Sequence, residues 1–396
     1  MTKIQLSLVL ATVFGLHTVS PALAGSMYKI TDLGTLSPDG TDTRAASINN
    51  QGQIVGRSRT AGNTASSGYI WENATITALP LTGPVNGGTP VTLPGRGGLS
   101  RSINDAGMIV GAGDETAGPT DRALLWTPNG SGGYDLNIYN FGGLESYFID
   151  INNSNQIAGY HIFETNRRNA IFWEDGTRIN LPSLDGDQNF GLAINDNTEI
   201  VGYVDSDGVV DGTNVYSAAF WEQDANGNFV LTNLGIPNGF AQSFARDLNE
   251  NGLVIGQATN GSGATLTSSG FLWDNGNLIN LGSLGGTRGD ALSINESGQI
   301  VGFSNLASEV AHGTLWQEGQ LFDLNNLVIN GTGWVLNQAT GINGRGQIIG
   351  FGTFTNELGE TETRAFLLES VPEPSTIMGL LAVGILGFTQ LRTLKK

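Results

Sequence analysis

The 396-residue chain contains no cysteine, so neither disulfides nor thiolate metal sites hold its fold, whatever the redox compartment. Histidine is nearly absent: beyond His17, only His161 and His312 remain. These two fall at different positions of the repeat described below, which leaves little from which to build a Ser-His-Asp triad or a His-rich metal site. Lysine is scarce too. Without Lys3, Arg392, Lys395, Lys396 and Glu373, 14 basic residues stand against 35 acidic ones, a net charge of −21, with Lys29 the single lysine. Such a surface repels phosphates and excludes nucleic acid as a partner. The long central region also lacks any amphipathic helical stretch.

What it has is repetition. INNQGQIVG at Ile48 to Gly56 returns as INDAGMIVG from Ile103, INNSNQIAG from Ile151, INDNTEIVG from Ile194, LNENGLVIG from Leu248, INESGQIVG from Ile294 and INGRGQIIG from Ile342. The first Asn of each copy falls at Asn49, Asn104, Asn152, Asn195, Asn249, Asn295 and Asn343, and a Gly closes each copy seven positions later. Spacings of 43 to 55 residues indicate a propeller or a solenoid, whose units cannot bury their apolar faces alone.

Each unit reads as four short strands. The first ends at the Ile-Asn pair. A turn follows, with Gly three residues after the Asn in five copies, Asn155 in the third and Thr198 in the fourth. The second strand is the QIVG run. The third ends in an aromatic at Trp71, Trp126, Trp173, Trp221, Trp273 and Trp316, and a polar turn leads to the fourth. Alternating apolar residues and Asx-Gly turns signal hairpins. One Trp per unit predicts packing between units, and the recurrent Asn a turn bonded to its own backbone.

The seventh unit stops after three strands, near Glu369, while YKITDLGTL at Tyr28 to Leu36 matches the fourth strand of the others. A split unit of this kind closes a ring and leaves no sheet edge open between the termini. The expectation is an all-β, seven-bladed propeller of four-stranded antiparallel blades, its N-terminal strand completing the last blade. A right-handed β-helix is the runner-up, but it does not explain the split.

Both ends are addressing segments. Lys3, an apolar run and Ala-Leu-Ala predict a signal helix over residues 1–24, cleaved between Ala24 and Gly25. Residues 25–370 form the propeller. Residues 371–396 carry Pro372, Glu373 and Pro374, then a short apolar membrane helix, then Arg392, Lys395 and Lys396. This tripartite tail resembles a PEP-CTERM sorting signal. The resemblance implies export through the secretion machinery, transient inner-membrane anchoring, processing by an exosortase, and delivery to the cell surface or extracellular matrix. The units themselves, with Tyr69-Ile70-Trp71 and LGSLGG at Leu281 to Gly286, resemble the HAF-type extracellular repeat.

Function is expected on one face. The first-to-second and third-to-fourth connections are uniform. All length variation falls on the opposite face: closing Gly to Trp takes 14 to 19 residues and Trp to the next Asn 22 to 33. Variable loops on a rigid scaffold are where binding resides. Tyr147, Phe190 and Phe244, five residues before successive motif Asn residues, suggest an aromatic arc for stacking sugars, with Arg101 and Arg246 as hydrogen-bond donors. The arc requires at least two of its rings to be partly exposed. Filling of the blade interface is the plainer reading. Asp205, Asp207 and Asp211 in VDSDGVVDG suit a hard cation such as Ca²⁺, against the plainer reading of a solvated acidic loop; no other cofactor is indicated. The chain reads as a monomeric, non-catalytic binding or matrix protein beside exopolysaccharide or a surface glycan. The alternative is a glycan-active hydrolase or lyase using carboxylates on the same face.

Overall fold

Every copy of the motif bends the chain for the same reason. The Asn Oδ1 accepts the backbone N–H groups two and four residues ahead, from Gln51 at 3.1 Å and Gln53 at 2.9 Å in the first copy, and likewise in the other six. The residue three beyond the Asn takes positive φ even where it is not Gly: Asn155 at 65° and Thr198 at 64°. A β-branched residue there is strained. The Thr198 hydroxyl offsets part of the cost by donating to Gln156 Oε1 of the preceding blade at 2.8 Å.

In the computed structural model, which describes residues 27–371 apart from 61–65, 94–97, 115–119, 165–166, 185, 187 and 207–214, these turns join the strands of seven antiparallel sheets. The innermost strands are Thr43–Ile48, Leu99–Ile103, Glu145–Ile151, Asn189–Ile194, Gln242–Leu248, Gly285–Ile294 and Trp334–Ile342. Blades 1 to 6 each follow chain order from inside to outside. Blade 7 is split as the sequence predicts. Tyr28–Asp32 lies antiparallel on Thr361–Ser370, with Tyr28 opposite Ser370 and Asp32 opposite Phe366. Val328–Ile329 adds a parallel fifth strand outside it. The two ends of the described chain are held together where Val371 N–H donates to Met27 O at 2.8 Å, on the face of the motif turns. The expected signal helix with Ala24 and Gly25, and the Pro372, Glu373, Pro374 segment with its expected membrane helix, fall on residues outside those described. No helix among the described residues is long and apolar enough to cross a membrane.

The amide nitrogens of the same asparagines tie blade to blade. Asn49 Nδ2 donates to Asn104 O at 3.0 Å, Asn104 to Asn152 O at 3.0 Å, Asn152 to Asn195 O at 2.9 Å and Asn195 to Asn249 O at 3.2 Å. Asn249 continues to Asn295 O at 3.1 Å, Asn295 to Asn343 O at 3.2 Å, and Asn343 closes the circle on Asn49 O at 3.0 Å. The sequence suggests only the local turn; the inter-blade bond is the addition.

Each innermost strand also carries a bulge. The ladder skips Ala46, Arg101, Ile149, Leu192, Arg246, Leu292 and Thr340. A bulge re-aims side chains, and here both the skipped residue and its successor line the central channel. The closing Gly follows from the same crowding. A Cβ on Gly202 would lie 1.8 Å from the Phe190 carbonyl oxygen, and its six counterparts would meet the equivalent oxygen at 2.0 to 2.1 Å.

Between blades the apolar faces pack into continuous clusters, one of them joining Val55 and Ile70 of blade 1 to Ile109, Leu124 and Trp126 of blade 2. Trp126 and Trp221 are fully buried, and their indole N–H groups donate to Pro80 O at 2.8 Å and Pro182 O at 2.7 Å. The longest variable stretch lies between Leu79 and Ser100. Its hairpin, Thr82–Pro84 with Pro90–Thr92, folds against the outer strand of blade 2 through Val85 and Ile138.

Two outcomes follow. Asn195→Ala removes buried bonds both within and between blades and is expected to cost about 2–4 kcal/mol in denaturant unfolding, whereas Asn50→Ala on the exposed rim costs under about 1 kcal/mol. Deleting Tyr28 to Leu36 removes the fourth strand of blade 7 and is expected to lower the melting temperature by more than about 10 °C. Unchanged unfolding of the deletion variant would rule out this closure.

Candidate functional site

The innermost strands run from the variable-loop face to the turn face, so the residue five before each motif Asn marks one mouth of the channel. Its register partner on the second strand directly follows the closing Gly. The seven pairs are Arg44 with Arg57, Leu99 with Ala112, Tyr147 with Tyr160, Phe190 with Tyr203, Phe244 with Gln257, Asp290 with Phe303 and Gln338 with Phe351.

On blades 3 to 5 these pairs make one aromatic ladder. Tyr147 stacks on Tyr160 at 4.6 Å, and Tyr160 meets Phe190 edge-on at 4.8 Å across the blade boundary. Phe190 stacks on Tyr203 at 4.4 Å, and Tyr203 meets Phe244 edge-on at 4.9 Å. The expected arc of Tyr147, Phe190 and Phe244 fails its condition of two partly exposed rings. Tyr147 and Phe190 are only 9 % exposed, so two of the three rings fill the blade interface. Phe244 stays half-buried, as do Tyr160 and Tyr203, which complete the ladder from the second strands. Their signal was the position after each closing Gly, legible only once the register is known. The Tyr147 hydroxyl lies 2.8 Å from Asp121 Oδ2 and 2.6 Å from Glu145 Oε2, and burial together with these carboxylates pushes its pKa up.

Arginines occupy the bulges next to this ladder. Arg246 pairs with Asp290 at 3.2 Å and lies over the Phe244 ring at 5.9 Å. Burial pushes the Asp290 carboxyl up, while Arg246 pulls it down. Arg101 is exposed and makes no ion pair among the described residues. Both line the central cavity of about 360 Å³.

One residue deeper, the sign reverses. Asp150 accepts from Ser102 Oγ at 2.6 Å and Ile194 N at 2.9 Å, and Asp247 from Ile294 N at 3.0 Å. Burial raises both pKa values, and for Asp247 the Asp150 charge adds to it, taking it to about 7. At the turn face a second ring is acidic. Asn50 N donates to Asp105, Asp105 N to Asn153, Asn153 N to Asp196, Asp196 N to Glu250 and Glu250 N to Glu296. It is interrupted at Gly344, which has no side chain to continue it, and resumes where Gly344 N donates to Asn50 Oδ1. Burial raises the Glu250 and Glu296 carboxyls.

The remaining candidates lie apart. His161 is buried in blade 3, both ring nitrogens without a hydrogen-bond partner among the described residues, and burial followed by the Arg178 charge lowers its pKa to about 4. His312 in blade 6 contacts Asp323 at 2.8 Å. Asp205 is fully buried, and Asp207 and Asp211 lie outside the described residues. Among the described residues no three His, Asp or Glu converge to hold a metal ion.

The raised Asp247 pKa means that the folded state holds a proton the unfolded chain releases. Its stabilising share is complete below the unfolded value near 4 and is lost as pH rises through about 7. Asp247→Asn cannot titrate. The parent is therefore expected to lose about 1–2 kcal/mol relative to this variant between pH 4 and pH 8, the shift being discounted for water in the channel. Parallel stability curves for the two proteins would remove Asp247 as the titrating group.

Residues 370–395 match the PEP-CTERM protein-sorting motif, which directs export and cell-surface sorting and is recognised by an exosortase. No curated protein matches the chain. Among solved structures, a protein of unknown function from Dyadobacter fermentans is similar at 11% identity and a TM-score of 0.40, over 87% of this chain and 99% of that one. TolB from Acinetobacter baumannii is similar at 10% identity and a TM-score of 0.41, over 81% of this chain and 64% of that one.

Proposed function

We propose that this exported, surface-sorted propeller is a non-catalytic binding or matrix protein of the HAF-repeat type that holds polysaccharide at the variable-loop mouth of its channel. One observation carries the reading. The half-buried rings of Tyr160, Tyr203 and Phe244 stand beside Arg101 and Arg246 on the face that holds all the length-variable loops. Half-buried rings stack on the apolar faces of sugars, and guanidinium groups donate to hydroxyls and carboxylates. Exopolysaccharide outside the cell is the ligand that suits the sorting signal. Calcium has no part in this reading.

A glycan-active hydrolase or lyase is favoured by a single feature. Asp121 and Glu145 both lie within hydrogen-bond reach of the one Tyr147 hydroxyl, which places two carboxylates close together on the loop face. Sugar release abolished by Asp121→Asn and by Glu145→Gln would establish that alternative.

In affinity electrophoresis through polysaccharide gels, the processed protein is expected to be retarded. Tyr160→Leu with Tyr203→Leu keeps apolar volume but removes the flat faces, and is expected to weaken retardation about thirtyfold at about 1 kcal/mol per ring, with the propeller still folded. Unretarded migration of the parent through every gel overturns the reading.

A further inference from the structure

We propose that the opposite half of the same mouth holds a carboxylate-binding pocket built from Arg44, Arg57 and Arg101, and that its occupant is a uronate unit of an acidic polysaccharide. The polysaccharide part rests on the function proposed above; the pocket stands on its own geometry. Arg44, Arg57, Arg101, Gln338, Thr340 and Phe351 line a cavity of about 450 Å³. That size lies in the range of small-molecule sites. It shares Ala46, Arg101, Leu292 and Thr340 with the channel, so it opens into the channel mouth.

The charge is locally unbalanced. Among the described residues Asp42 is the carboxylate that pairs with Arg44 and Arg57, with Arg44 Nε at 2.9 Å and Arg57 at 4.0 Å. Arg101 adds another guanidinium without an ion pair among the described residues. In a body where acidic residues outnumber basic ones 35 to 14, this concentration of positive charge is against the trend of the whole surface. Arg44 is also held in place. Its guanidinium lies 4.4 Å over the Phe351 ring with Nε on Asp42, while its terminal nitrogens have no partner among the described residues. A planar fork fixed this way matches the two oxygens of a carboxylate. Gln338 and Thr340 supply hydroxyl partners, and Phe351 an apolar face.

Two features select the position and class of the ligand. Asp150 and Asp247 lie one residue deeper than Arg101 and Arg246 and offer an anion no counter-charge, so its cationic partners stand at the mouth. The aromatic ladder faces the same opening from blades 3 to 5, which suits a sugar chain running across the mouth more than an acidic peptide.

The test is calorimetric titration of the processed protein with a galacturonate hexamer, its fully methyl-esterified form, neutral polysaccharides and poly-glutamate. The hexamer is expected to bind, and the ester at least tenfold more weakly. Arg57→Gln and Arg101→Gln, both on exposed side chains, are each expected to weaken hexamer binding at least tenfold with unchanged melting temperature, and Arg57→Lys to recover only part of the loss. Equal binding of acid and ester, or binding of neutral polysaccharides without the hexamer, overturns the carboxylate pocket and leaves the polysaccharide reading standing. Absence of binding to every glycan overturns both. Poly-glutamate binding as tightly as the hexamer, or full affinity in both Gln variants, also overturns the pocket.

Discussion

The structure depends on one side chain used twice. The oxygen of each motif Asn folds its own turn, and the nitrogen holds the next blade by its backbone carbonyl. The seven links are buried, so each is an all-or-nothing contribution: a buried donor left unpaired costs more than a formed bond gains. Because the seventh link returns to the first, no blade can turn about the axis without breaking two links. Residues one step further out do not form a closed circuit, as the gap at Gly344 shows.

That inner ring also fixes what the channel can display. Every innermost strand is pinned at its Asn, and every one carries a bulge three residues earlier, so seven bulged residues form one layer and their successors the next. Chemistry is therefore sorted by depth. Arginines stand at the loop mouth, Asp150 and Asp247 within, and Asp105, Asp196, Glu250 and Glu296 at the far rim. The direction of this gradient results from register alone, without any loop having to be ordered to create it.

Much of the architecture was legible because it is local and repeated. The period, the strand count, the split unit and the positive-φ position after Asn, including Asn155, all follow from spacing and turn chemistry, whereas Thr198 reads as a departure from the pattern and yet takes the same conformation. The destination of the Asn nitrogen was not, since a residue 43 to 55 positions away receives it. Bulges leave no pattern of their own in an alternating strand, which is why Arg101 was foreseen as a donor while Arg44 and Arg57 were not joined to it. Tyr147 and Phe190 were correctly placed in successive blades, but burial depends on what packs across the boundary, and Tyr160 and Tyr203 cover them. The Leu79 to Ser100 stretch reads as a binding loop from length alone, yet its apolar residues are used against blade 2.

The pairing of Tyr28 with Ser370 sets which way the molecule looks. Both ends of the propeller leave from adjacent positions on the acidic, motif-turn side. A chain held from beyond Val371 is thus suspended from its back, with the arginine and aromatic mouth turned outward, a full strand length away from the point of attachment. Pull on that attachment would load the Tyr28–Asp32 and Thr361–Ser370 pair along its strands, in shear across the whole ladder, and the ring seam would double as the mechanical anchor of the outward-facing surface.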